Sequence, residues 1–126
     1  MSIQGQSNGT VLFVSDDPAT QTTQLEPAGK TQAQIATDYA AFQATWSLGW
    51  WQAYQQGLLD NMLNNNVDLP GLIRAGTVTT VTSTQIGGFL ATVCNNYRTL
   101  RAAIAAATTV AQVQAVNINS GWPTNP

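Results

Sequence analysis

Seven apolar residues in the second half of the chain, Ile86, Leu90, Val93, Tyr97, Leu100, Ile104 and Ala107, follow one another at spacings of 4, 3, 4, 3, 4 and 3. A strand repeats every two residues, so this spacing admits only a helix with one apolar stripe, here the a/d seam of a heptad pattern. It predicts a helix over 84–107 that buries the seam against another helix. Spacing alone leaves open whether that helix belongs to the same chain or to a copy. Thr82, Ser83 or Thr84 supplies the N-cap. Gly87-Gly88 costs up to ~2 kcal/mol of helix propensity, so a close approach of another backbone is expected there.

A second stripe precedes it. Ile35, Tyr39, Phe42, Trp46, Trp50, Tyr54, Leu58 and Met62 advance by three or four residues. This predicts one helix of roughly 30 residues from Thr31, stopped by Asn64-Asn65-Asn66. Trp51 points to a different face from Trp46, so the helix is expected to touch something on two sides. Trp46 and Trp50 read as core and Trp51 as an interface anchor. With Tyr54 they also fit a flat aromatic platform for a glycan or a partner.

The rest is shorter. Asp68-Leu69-Pro70 opens a short helix that Gly76 closes. The run TVTTVTST (77–84) reads as a strand or a linker. Thr108-Thr109 caps another short helical segment carrying Val110, Val113 and Val116. Residues 1–30 lack periodicity apart from TVLFVS (10–15), a lone strand ended by Asp16-Asp17-Pro18. One strand cannot satisfy its own backbone, so this segment reads as an extended arm that orders against a neighbour. The expected fold is mainly α: a helical hairpin or small bundle of two long and two short helices over 31–126, with the arm over 1–30.

Chemistry is excluded on several counts. The chain has no histidine, and its one cysteine, Cys94, therefore lacks the usual partner of a catalytic thiol and the company a zinc site needs. Cys94 reads as a small buried hydrophobe. On one continuous helix Asp38 and Asp60 would stand about 33 Å apart, too far to share a proton. Asp16 and Asp17 are adjacent enough to chelate calcium, but Ser-Asp-Asp-Pro is ordinary turn chemistry. Gly87-Gly88 lacks the spacing of a phosphate loop. No catalytic, cofactor-binding or metal residue is expected, and the chain reads as non-enzymatic.

Charge sets the partners. Only 8% of the residues are charged, against about 25% in typical soluble domains. The cations Lys30, Arg74, Arg98 and Arg101 form no cluster for phosphates, so nucleic acid is not expected. No run nears the ~18 apolar residues of a membrane span, and no leader pattern opens the chain. A nearly uncharged polar surface repels copies of itself weakly. With two apolar stripes to bury, the chain is expected to be a homo-oligomer, a trimer or larger. Its interface is expected at Trp46, Trp50, Trp51, Tyr54, Ile86, Leu90, Val93, Tyr97, Leu100 and Ile104.

The segment RTLRAAIAAATTVAQVQAVNINSGWP (98–123) resembles parts of small virion and tail-fibre-associated proteins of tailed bacteriophages. In those a helix is followed by a Thr-Val-started helical turn and a Gly-Trp-Pro ending. The likeness covers about a fifth of the chain and carries no catalytic residues. It implies a structural component of a capsid, neck or tail, made in the host cytoplasm and carried in the virion beside other virion proteins. A binding module for a glycan or receptor, and a tail-fibre assembly chaperone, are the alternatives.

Overall fold

Residues 3–68 and 82–124 are described in the computed structural model. The chain divides into two compact units, Met1–Trp51 and Gln52–Pro126.

The first unit opens with a three-stranded antiparallel sheet, β1 (Ile3–Gly5), β2 (Val11–Val14) and β3 (Thr23–Glu26), in that order. The expected lone strand is thus the central strand of a meander, with Ile3 opposite Phe13 and Val11 opposite Glu26. Its neighbours read IQG and TQLE, too short and polar to show a period of two. Turn chemistry supplies them instead: Gly9 takes a positive φ of 80°, and the Asn8 side chain accepts from the backbone and hydroxyl of Thr10.

The sheet packs on α1 of its own unit. Phe13 is fully buried, its ring 5.1 Å from that of Tyr39 and 5.7 Å from that of Phe42 on α1 (Gln32–Gln43). Lys30 bridges Glu26 at the end of β3 and Asp38 on α1, at 3.1 and 2.5 Å. The boundary expected after residue 30 therefore falls inside a unit, and within residues 3–30 the sheet packs on α1 in place of forming an extended arm.

The long aromatic helix is also two helices. α1 starts at Thr31, whose capping box with Gln34 satisfies amides at both positions. It ends at residues 44–47, and α2 (Leu48–Val67) begins. At the break the Thr45 hydroxyl donates to the Phe42 carbonyl, Trp46 turns inward to 1% exposure, and the Ser47 hydroxyl accepts from the Trp50 amide. The stripe runs through the break because aromatic residues on both sides of it enter one cluster. Side-chain spacing records the face a residue buries and is blind to a change of axis.

The second unit holds most of α2, α3 (Ser83–Ala106) and α4 (Val110–Ala115). Thr82 caps α3 in a box with Gln85, and Thr109 caps α4. Leu59 of α2 is fully buried against Leu100 and Ile104 of α3, with Tyr97, Val116, Ile118 and Trp122 around them. Val113 of α4 is fully buried as well. The short helix expected after Asp68 and most of the 77–84 run lie outside the described residues. Regular structure among the described residues is helical but for the N-terminal sheet, and no described helix is long and apolar enough to cross a membrane.

Leu59 sits where α2 meets α3, so Leu59→Ala is expected to cost about 2–5 kcal/mol by removing buried methyls and leaving a cavity. A urea titration followed by tryptophan fluorescence checks it, with a lower midpoint as the expected outcome.

Candidate functional site

The aromatic residues expected at an interface are mostly spent on the first unit's core. Trp46 is 1% exposed and Trp51 is 8% exposed. The rings of Phe42, Trp46, Trp50 and Trp51 meet edge to face in sequence, with centroids 5.9, 4.5 and 5.1 Å apart. Trp51 Nε1 donates to the Gln43 carbonyl at 3.0 Å, fixing that indole across the helix break. Trp50 is half-buried, and Tyr54 alone of the four is largely exposed. The faces a flat platform would offer are therefore covered for Trp46 and Trp51, because both side chains lie in the core beside the break.

The seam on α3 divides. Val93, Leu100 and Ile104 are buried, while Ile86, Leu90 and Tyr97 are half-buried. Phe89, absent from the heptad reading, is buried at 5% exposure. A straight helix turns once per 3.6 residues, which drifts from a strict heptad and brings residue 89 toward the centre of the face and residue 90 toward its edge. Leu100 and Ile104 meet Leu59 of the same chain, so this part of the seam is an intramolecular contact.

Polar side chains of α2 do the aligning. Gln52 Nε2 donates to the carbonyls of Ile104 and Ala107 at 3.1 and 3.3 Å, satisfying the end of α3. Gln55 Nε2 donates to the Val113 carbonyl at 3.2 Å on α4. Asp60 accepts from the Tyr97 hydroxyl at 2.7 Å and from Gln56 at 2.8 Å. The Tyr97 bond, then that from Gln56, holds the Asp60 carboxyl below its ordinary value, and the same carboxylate raises the Tyr97 phenol. Beside this network lies a groove of about 370 Å³ lined by Gln52, Ala53, Gln56, Arg101, Ile104 and Ala105. It brings together one cation and neutral amides, with no nucleophile or paired acid among its lining residues.

Asp17 was missed as a site by sequence reading. Only 2% of it is exposed. Its carboxylate accepts from the Ala19 amide at 2.9 Å, from the Thr20 hydroxyl, and from the Ser47 amide at 2.7 Å. In a capping box the third helical residue would accept that last N–H, but in α2 this residue is Trp50, whose indole only donates. Asp17 supplies the missing acceptor from 30 positions away, and its charge also suits the positive end of the helix dipole. Burial works to raise its pKa, but the bonds from Ser47, Thr20 and Ala19 outweigh it and hold the carboxyl well below the carboxylate range. No group of three His, Cys, Asp or Glu side chains able to hold a metal occurs among the described residues.

The far side of α3 is open. Gly87, Gly88, Ala91, Asn95, Arg98 and Ala102 are all exposed. Among the described residues of the chain none approaches Gly87-Gly88, since a Cβ built at either position meets nothing within 4 Å. Cys94, expected to be buried, is exposed; it lies about 100° around the helix from Val93, on the flank of this outer face. No family model, curated protein or solved structure matches the chain.

The depressed carboxyls of Asp17 and Asp60 fix the sign of an acid response. The unfolded chain binds protons first, so the stabilisation is complete above the ordinary carboxylate value of about 3.9 and is lost as pH falls through the lower folded values. Asp17→Asn is expected to lower the thermal midpoint at pH 7 and to flatten the loss of stability below pH 4. Thermal melts from pH 2 to 7 check both.

Proposed function

We propose that the chain is a non-enzymatic structural component of a larger assembly, of the bacteriophage-particle class, in which copies associate through helix packing as a trimer or larger. The observation that carries this reading is the outer face of α3, a long exposed strip of mostly small, nearly uncharged residues from Gly87 to Ala102 broken by one cation, Arg98. Small side chains let a second helix approach closely, and the scarcity of charge removes the repulsion that keeps ordinary surfaces apart. A small helical bundle in the second unit is part of the same proposal, with α2 and α3 as its long members.

Burial of Trp46 and Trp51 favours assembly over glycan binding, because aromatic area already in a core is not offered to a ligand. The carboxylates of Asp17, Asp38 and Asp60 are each held by hydrogen bonds within the chain, which favours a structural over a catalytic role.

Light scattering across a concentration series is expected to give at least three times the 13.4 kDa chain mass. Ala91→Glu places an unpaired charge on the outer face and is expected to raise the concentration of half-association about ten-fold or more. A monomer at all concentrations contradicts the reading. Mass spectrometry of purified particles tests its virion part, with the chain expected as a stoichiometric component.

A further inference from the structure

After α4 the chain leaves regular structure and lies back over the second unit's core. Val116, Ile118 and Trp122 pack on the cluster of Leu59, Leu100 and Ile104. Trp122 Nε1 donates to the Ile118 carbonyl at 2.7 Å, closing the segment on itself. Among the described residues one polar side-chain bond ties it to α3: Asn96 Nδ2 donates to the Ser120 carbonyl at 2.9 Å. Next to that bond is Gly121, at φ 80°, where a Cβ would stand 2.2 Å from Asn96 Oδ1. Thus three apolar side chains and one amide hold a segment that has no ladder of backbone bonds. Such segments open at a small fraction of the cost of global unfolding.

We infer that residues 116–122 form a releasable latch over the groove beside Leu59 and Leu100, and that the same segment of a second copy takes its place when it lifts. The groove's occupant is on view: this sequence already fills it, and an identical segment satisfies the same apolar contacts and the same Asn96 amide. Exchange of a terminal element between copies is a low-cost route to association, because each contact broken in one chain is remade in the pair. The inference rests on the assembly reading for the identity of the partner, yet it uses the inner groove and not the outer face of α3.

The test uses the full chain and a fluorescein-labelled peptide of residues 116–124. Gly121→Val lifts the latch, since a β-branched residue at this φ is strained and its Cβ displaces the Asn96 amide. The peptide is expected to bind Gly121→Val about ten-fold more tightly than the unaltered chain, by fluorescence anisotropy, because its own segment no longer competes. Gly121→Val carries the same clash into a partner's groove, so its mass by light scattering is expected to fall below that of the unaltered chain, and excess unlabelled peptide is expected to lower the mass of the unaltered chain as well. Trp122→Ala, which removes one anchor from the segment and leaves the groove intact, is expected to shift both readouts the same way by less; it serves if circular dichroism shows Gly121→Val unfolded. Peptide binding to neither variant overturns the latch, and binding without any change in mass overturns the exchange. Ala91→Glu keeps the two proposals apart: it is expected to weaken outer-face association while leaving peptide binding unchanged.

Discussion

The ends of helices leave backbone groups without partners, and in this chain neutral side chains meet several of those groups, some from within the helix and some from another helix. Threonine and glutamine box the starts of α1 and α3. Gln52 and Gln55 carry the ends of α3 and α4 on a single helix, α2. Where α2 itself lacks an acceptor at its start, the carboxylate of Asp17 arrives from the turn between β2 and β3. An amide or hydroxyl can satisfy a carbonyl without bringing a charge that must then be solvated or paired. The composition, with 8% charged residues, is the surface counterpart of this economy.

These bonds also explain what could be read from the sequence and what could not. The two helical stripes were legible because burial at every third or fourth position writes a period into the residues, and Val93, Leu100 and Ile104 lie where that period puts them. The caps at Thr31 and Thr82 announce themselves by a glutamine three residues on. The break at 44–47 was hidden, because Trp46 and Trp50 keep the spacing of one helix while packing across a bend. The edge strands were hidden by their polarity, and Asp17 by its distance from Ser47. Its trace in the sequence is indirect: Trp50 stands where a capping residue should be. Cys94 was misread because the residues around it count as apolar, although position 94 itself lies well off the buried face.

What remains after the interior is satisfied is the side of α3 facing away from Leu59. The inner face is committed to the fold of its own unit. The outer face has room at Gly87 and Gly88, methyls at Ala91 and Ala102, and the guanidinium of Arg98. A helix of this length with such a surface is suited to a neighbour, and a second copy is the partner the assembly reading requires.

The native thiol reports on that surface directly. Cys94 is the only cysteine, it is exposed, and it flanks the outer face. The measurement is the rate constant for its alkylation by iodoacetamide as the protein concentration is raised through the range of association. If copies meet on this face, the rate constant falls by about ten-fold as the covered population grows by mass action. A rate constant that stays level while the mass by light scattering rises contradicts the account, because the copies would then be meeting somewhere else.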